Sequence, residues 1–485
     1  MMTNSNSSLK PLCVDLDGTL IATDSLWESV LLLLRENFWL SFLLPWWLMK
    51  GKAYFKHQIA QHVTLDVATL PYRKNVLAFL QQEKQQGRTI ILATAAHQSI
   101  AQAVASHLKI FDDIIASDIG TNMKGATKRD ALKQRFGTYD YIGDSKADLP
   151  IFQAAEHAFL VTSNQGLLLK ETPGVQAVFW NGVAIQTLFS APKLTARIWL
   201  KTLRPHQWVK NILIFLPLVL SHEFLDFAKS VEVLVAFIAF SLVASSGYVL
   251  NDLLDLAADR THPTKKNRPF ASGILPIHYG PPLFVILISL SFSISWWWLS
   301  ISFTGMVFLY LLMTVSYSFF FKQKMIVDVL ILAGLFTHRI LAGGIVITVP
   351  ISSWLLAFSM FFFMSLAFLK RYIELLQLTD KKMITRRGYQ INDIEMVASV
   401  GPTSGYLAVL VFALYINSET VAMLYHSPYL LWLVCPLLLY WITRVWFLAH
   451  RQQLLDDPVL FALKDGTSWF VIACISLFML LAKFV

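Results

Sequence analysis

The sequence predicts two domains of different class. The first is an amino-terminal α/β domain, doubly wound and carrying a helical cap. The second is a carboxy-terminal all-α polytopic bundle of nine transmembrane helices. Two observations carry this. Through residue 190, short β-rich runs alternate with helical patterns, as a parallel sheet requires. From about residue 205 onward, apolar runs of membrane-spanning length dominate, and 55% of the 485 residues are hydrophobic. That composition excludes an ordinary soluble protein. The expected domains are 1–190 and 207–485, joined by a basic helix over 191–206.

In the first domain the expected strands are Leu12–Leu16, Thr89–Thr94, Ile114–Ser117, Tyr139–Ile142 and Ala158–Val161. Helical stretches follow at Gln98–Leu108, Thr127–Phe136 and Leu149–Ala155. Active groups in such sheets gather at the carboxyl ends of the strands. Asp15-Leu16-Asp17-Gly18-Thr19 closes the first strand, Thr94 the next, and Gly143-Asp144-Ser145 a third, with Asp148 beyond it. Lys128 opens a helix in the pattern Lys-x-x-x-Leu, and Lys124 precedes it as the alternative. These parts suit phosphate-ester chemistry. One carboxylate attacks phosphorus, a second shuttles a proton, and others hold Mg²⁺, while a hydroxyl and an ammonium bind the phosphate oxygens.

On these four motifs, in this order, the domain resembles the haloacid dehalogenase (HAD) superfamily of phosphohydrolases over about residues 10–185. The resemblance implies Asp15 as nucleophile and Asp17 as general acid/base. It implies Thr94 and Lys128 as phosphate ligands, and Asp15, Asp144 and Asp148 as Mg²⁺ ligands. The insert at about residues 25–80 is then the cap. Its apolar runs Val30–Leu34 and Phe38–Met49 are interrupted by Arg35-Glu36-Asn37, which argues against a membrane span. Two readings stay open: a cap core packed on itself, or a cap that touches the membrane surface or the second domain.

Residues 193–204 place Lys193, Arg197, Lys201 and Arg204 on one helical face, with Leu194, Ile198, Trp199 and Leu203 on much of the remainder. That pattern reads as an interfacial helix on anionic lipid. Nine apolar runs follow, centred near Phe215, Ala239, Ile288, Leu309, Ala333, Phe361, Leu410, Leu437 and Ile475. Each is roughly 17–22 residues long, enough for one crossing. Lys and Arg concentrate before the first run and after the second, fourth, sixth and eighth. That side is therefore expected to be cytoplasmic, with the first domain, and the carboxyl terminus outside. The polar first ten residues show no cleavable signal, which agrees. The formal net charge of +9 reads as loop Lys and Arg rather than a nucleic-acid surface. Cys13, Cys435 and Cys474 make neither a metal-site spacing nor a disulfide framework.

Residues 251–273, NDLLDLAADRTHPTKKNRPFASG, are the most informative stretch. Asp252, Asp255 and Asp259 are spaced to share one helical face. Arg260, His262, Lys265, Lys266 and Arg268 come directly after. Carboxylates for Mg²⁺ followed by cations for phosphate are what gripping a pyrophosphate requires. Asp328 and Arg339 lie in or near the fifth run, where lone charges are expensive, and read as a cavity-facing site or as a structural pair.

The nine runs, the Asn251-Asp252-x-x-Asp255-x-x-x-Asp259 segment and Tyr317-x-x-x-x-Lys322 together resemble the UbiA superfamily of intramembrane prenyltransferases, over about residues 200–485. A finer resemblance is to decaprenyl-phosphate phosphoribosyltransferases. It rests on Arg204-Pro205-x-Gln207-Trp208-x-Lys210-Asn211 and Asp259-Arg260-x-His262-Pro263-x-Lys265-x-x-Arg268-Pro269. Aromatic prenyltransferases of the superfamily carry a second acidic motif after the sixth helix. Here that place holds Lys370-Arg371-x-x-Glu374, with Asp380 further on, which suits a phosphorylated sugar. The resemblance implies Mg²⁺ at Asp252, Asp255 and Asp259. Asn251, Lys265, Arg268, Tyr317, Lys322, Lys370, Arg371, Lys210 and Asn211 would then contact substrate. The expected partners are the bilayer, a polyprenyl lipid and a phosphorylated sugar. Two alternatives remain: prenyl transfer from a polyprenyl diphosphate to an aromatic acceptor, and a membrane-tethered phosphatase or transporter.

Overall fold

The computed structural model describes residues 10–162, 177–180, 183–190, 194–377, 388–454 and 457–485. Lys193, Asp380 and the loop cations Lys381, Lys382, Arg386 and Arg387 lie outside the described residues. The chain divides into two compact units, 10–204 with 248–285, and 205–247 with 286–485.

The first unit is built on a seven-stranded sheet, formed by β1 (Leu12–Val14), β2 (Ile90–His97), β3 (Asp113–Ser117), β4 (Asp140–Gly143), β5 (Ala158–Thr162), β6 (Ala177–Trp180) and β7 (Val183–Ser190). Its order is β3-β2-β1-β4-β5-β7-β6, and every pairing is parallel except β6 with β7. Successive strand residues enter two separate cores. Leu12, Val14, Ile90 and Leu92 join one, and Cys13, Ile91, Ala93 and Tyr141 join the other. Both sheet faces are thus covered, which is why these strands read as continuous apolar runs rather than alternating ones. β2 runs to His97, three residues past the expected end at Thr94, with a register irregularity between Ala93 and His97.

The cap begins with the helix Ser25–Glu36, whose first turn Asp24 caps by accepting from the backbone N–H groups of Leu26 and Trp27. The cap packs a small core of its own from Leu33, Trp47, Ile59 and Val63. Farther along the chain, the helix Ala196–Leu203 confirms a helical turn in the basic segment and ends at Arg204 in a left-handed conformation.

Among the described residues, eight helices are long and apolar enough to cross a membrane, rather than the nine expected. They are Phe227–Leu254, Ile277–Trp298, Ile301–Phe321, Val327–Val346, Ser353–Leu376, Ile391–Ile416, Pro428–His450 and Gly466–Phe484. The run centred near Phe215 accounts for the difference. It forms a tight 3₁₀ stretch, Pro205–Phe215, and then one short helix, Leu216–Leu220. Pro217 lacks the N–H that a continuous helix would need there, and His222 at φ 60° turns the chain away. The second unit buries Val329, Ala333, Leu369, Val445 and Ala449 in one continuous apolar core.

Candidate functional site

In the first unit, the strand ends of β1 and β4 deliver Asp15, Asp17, Asp144 and Asp148 to one cavity of 670 Å³. One carboxylate oxygen each from Asp15, Asp144 and Asp148 lies within 4.8 Å of the others. Lys128, on the helix Ala126–Phe136, sits 3.0 Å from Asp15 and 3.6 Å from Asp148, and its ammonium donates to the Tyr141 hydroxyl at 2.9 Å. Ser145 donates its hydroxyl to Asp148 at 3.0 Å. Asp17 accepts from the Ser25 backbone N–H at 2.7 Å and from the Ser25 hydroxyl at 3.1 Å. Gly18 adopts φ 73°, and a Cβ there would fall 2.0 Å from an Asp144 oxygen. Only glycine lets the loop pass that carboxylate.

Burial and like charge raise the proton affinity of Asp15, Asp17 and Asp144. Burial, against the pull of Lys128, pushes the Asp15 carboxyl up to about 6. Burial and neighbouring Asp24 push Asp17 up to about 8. Burial, with Asp148 and Asp15 adding like charge, holds Asp144 well above the usual carboxylate range. For Lys128, burial works against the charge, but Asp15 and Asp148 outweigh it and raise its affinity for a proton. An all-oxygen donor set with excess negative charge is what a hard divalent cation takes, so these residues fit Mg²⁺.

Of the expected phosphate ligands, Lys128 lies in this cavity, whereas Lys124 makes no described ion pair with the acids although it also lines the wall. Thr94 is fully buried, accepts from the Ala96 backbone N–H at 3.0 Å, and is not among the lining residues. Arg73 and Lys56 are lining residues that sequence reasoning passed over. Arg73 donates to the Gly18 carbonyl at 3.2 Å. Lys56 donates to Asn122 at 2.8 Å, and burial depresses its affinity for a proton.

The acidic segment of the same unit departs from the single helical face expected for it. The helix Phe227–Leu254 stops at Leu254, Asp255 takes φ −106° and ψ 17°, and a second short helix, Leu256–Thr261, carries Asp259. Asn and Asp compete with the backbone for hydrogen bonds and so favour such a break. Asp252 and Asp259 are nonetheless joined. Arg268 donates to Asp252 at 3.2 Å and to Asp259 at 2.5 Å, and Arg204 pairs with Asp252 as well. The other Asp252 oxygen is buried with no hydrogen-bond partner among the described residues. Asn251 is half-buried on the last turn of the long helix, and Lys265 lies in a 3₁₀ turn, Lys265–Asn267. Arg260, expected among the phosphate-binding cations, is instead buried against Glu28 of the cap and donates to the Ala271 carbonyl at 3.0 Å.

In the second unit, Lys210 and Lys370 converge on Asp457, at 2.8 and 3.4 Å. Burial opposes ionisation of Asp457, but the two ammonium groups outweigh it and hold that carboxyl well below the usual range. Asp457 was missed in the sequence; its signal is the acidic pair Asp456-Asp457 before Pro458, on the side of the loops rich in Lys and Arg. Arg371 pairs with Asp328 at 2.9 Å and also with Glu374. Asp328 and Arg339 are not a pair. Asp328 accepts from Tyr389 at 2.9 Å, and Arg339 donates to Asn211 at 2.8 Å and to Tyr310 at 2.9 Å. Asn211 also donates to Ser241 at 3.0 Å. Tyr317 and Lys322 are buried at the two ends of a π-helical turn.

Comparison with known proteins agrees with these two chemistries. The UbiA prenyltransferase family model matches residues 214–481, more than half of the chain. The chain belongs to the UbiA prenyltransferase family. Its amino-terminal part is a haloacid dehalogenase-like hydrolase domain, matched over residues 12–153. This UbiA-family transferase with a fused hydrolase is 36% identical to an uncharacterised protein, y4nM, of Sinorhizobium fredii, over 96% of this chain and 90% of that one. It is 36% identical to the decaprenyl-phosphate phosphoribosyltransferase of Mycolicibacterium smegmatis, over 39% of this chain and 60% of that enzyme's length. A solved structure of a UbiA homolog from Archaeoglobus fulgidus bound to GPP and Mg2+ covers 57% of this UbiA-family chain and 99% of its own, at 14% identity and a TM-score of 0.44.

Proposed function

We propose that this membrane transferase moves the phosphoribosyl group of phosphoribosyl pyrophosphate onto a polyprenyl phosphate, and that its hydrolase domain then removes the 5-phosphate. One observation carries the choice of substrate. The helix Ser353–Leu376 carries Lys370 and Arg371 in its last turns, with Lys210 sharing Asp457, so a cationic set stands where the resemblance gives aromatic prenyltransferases a second acidic motif. The identity with the mycobacterial enzyme supports the same reading.

Asp252, Asp255 and Asp259 would hold Mg²⁺, which supplies neutralising charge to the pyrophosphate. Arg268, Lys265 and Lys322 stabilise the leaving group, and Lys370 and Arg371 bind the 5-phosphate. Tyr317, Asn251, Lys210 and Asn211 position the substrates. The attacking oxygen is that of the polyprenyl phosphate, and the bond to pyrophosphate breaks at the anomeric carbon. Little proton transfer is needed, so positioning and charge stabilisation dominate. In the hydrolase, Asp15 attacks phosphorus, Asp17 carries the proton, Lys128 binds phosphate oxygens, Thr94 orients the phosphate-binding loop through its bond from the Ala96 N–H, and Asp144, Asp148 and Asp15 would hold Mg²⁺. A carboxyl that holds its proton to about pH 8 suits the role of Asp17.

We read the sheet as doubly wound, with strands stepping outward from β1 on both sides. The domain limits at residues 190 and 206, an interfacial role for the basic helix between them, a ninth crossing near Phe215, a cytoplasmic hydrolase and an outer carboxyl terminus belong to the same proposal. The experiment incubates membranes holding the full chain with ribose-labelled phosphoribosyl pyrophosphate and polyprenyl phosphate, and weighs the lipid product. The expected product is a polyprenyl-phosphoryl pentose, with its 5-phosphate form accumulating in Asp15→Asn. Label that never enters lipid, with prenyl transfer to an aromatic acid in its place, would overturn the reading.

A further inference from the structure

The hydrolase cavity has an apolar part, and that part includes the first residue of a helix long and apolar enough to cross a membrane. Asp15, Asp17 and Lys128 form the polar end. Leu26, Leu48, Phe55, Ile59 and Ile277 line the cavity as well, beside Lys56, Arg73 and His97. Ile277 and His278 are the first residues of the membrane-spanning helix Ile277–Trp298. The cap is tied to the same connection. Glu28 pairs with Arg260, and Arg35 reaches the Leu254 carbonyl, at the end of another membrane-spanning helix, at 3.5 Å. At Gly273, φ 72°, an added Cβ would lie 2.4 Å from the Ala22 carbonyl oxygen, so wall and loop are in close contact. The cap is thus fastened beside the ends of two helices long and apolar enough to cross a membrane.

That cap exposes an aromatic strip. Trp39 is 75% exposed, Met49 85%, and Phe42 and Trp46 more than half. Trp39 stacks on Phe42, and the Lys50 ammonium lies 3.7 Å over the Trp46 ring. Leu48 belongs to the strip and also lines the cavity. Aromatic rings edged by lysine are the composition that settles in the headgroup layer of anionic lipid.

We propose that Phe38–Met49 dips into the bilayer interface, and that the hydrolase cavity takes a phosphomonoester carried on a membrane lipid. This rests on the hydrolase reading above and names its substrate class. The test uses the full chain in nanodiscs of phosphatidylcholine and phosphatidylglycerol. An environment-sensitive dye is placed at Phe42→Cys, or at the exposed control Gln134→Cys, in a Cys474→Ser background. Quenching by shallow nitroxide lipids at 42 but not at 134 is expected. Equal or absent quenching at 42, or disulfide cross-linking of two copies through that position, overturns the membrane contact. The quadruple variant Trp39→Ser, Phe42→Ser, Trp46→Ser, Met49→Ser should release phosphate from p-nitrophenyl phosphate as the parent does. It should lose about tenfold or more on polyprenyl-phosphoryl ribose 5-phosphate, as weakened interfacial binding implies. An equal rate on both esters overturns the substrate class. A parent inactive on both overturns the hydrolase reading, and the dye still decides the strip.

Discussion

Asp15, Asp144 and Asp148 crowd their oxygens within 4.8 Å, with Lys128 paired to Asp15 and Asp148. Asp252 and Asp259, in the same unit, are instead bridged by Arg268, with Arg204 adding a second guanidinium to Asp252. One cluster is poised with excess negative charge; the other carries its own counter-ions. The contrast teaches that an acidic motif alone does not describe a metal site. A crowded trio invites a cation at once. A bridged pair accepts one only as its arginines move to another anion, and on the proposed function a pyrophosphate would be that anion.

The comparison breaks most sharply at the nucleophile. Asp15→Asn should lower phosphate release by about 10⁴-fold or more, as loss of a covalent nucleophile does. Transfer of label into lipid should survive, and a joint loss would mean the two sites are not separate. Next, Asp252→Asn should cost transfer about 10²–10³-fold while phosphate release from a soluble ester persists, a loss of the size expected for charge stabilisation.

Stability measurements sharpen the contrast. Arg268→Ala strips a shared partner from two buried carboxylates and should destabilise the protein by about 1–3 kcal/mol in metal-free buffer. Mg²⁺ should then raise its melting temperature more than the parent's; equal gains would argue against metal at Asp252 and Asp259. Asp144→Asn should do the reverse. Its carboxyl is held above the ordinary range by burial and like charge, so the fold favours the neutral form. The cost of ionising it appears as pH rises above the ordinary aspartate range. At pH 8 without divalent metal, the amide should therefore raise the melting temperature by roughly 2–4 °C, and added Mg²⁺ should erase the gain. A lowered melting point would show that the trio is not strained by charge.

The sequence made some of this legible and hid the rest for physical reasons. Strand cores covered on both faces announce themselves as unbroken apolar runs, so β1 to β5 were found, whereas β6 and β7 at the far side of the sheet were not. Lys128 was separable from Lys124 because it sits inside the opening turn of a helix. The first apolar run reads as one continuous helix by composition, yet it folds as a 3₁₀ stretch followed by a short helix that holds Pro217 in its first turn. Spacing put Asp252, Asp255 and Asp259 on one helix, but it carries no information about the break at Asp255. Arg204 and Glu28 find partners 48 and 232 residues away. Asp457 likewise gathers Lys210 and Lys370 from distant elements. Pairings of that range depend on how helices pack, and no local pattern encodes them.

The buried ion pair of Glu28 with Arg260 has a consequence for anyone who would divide the gene. A fragment ending near residue 190 keeps every motif of the hydrolase, but it strips Glu28 of its guanidinium partner, leaving it the Thr23 hydroxyl at 2.7 Å, and removes one side of the cavity. The two catalytic halves are therefore poor candidates for transplantation as interchangeable cassettes. Grafting the hydrolase onto another carrier would require taking the loop between two membrane helices along with it.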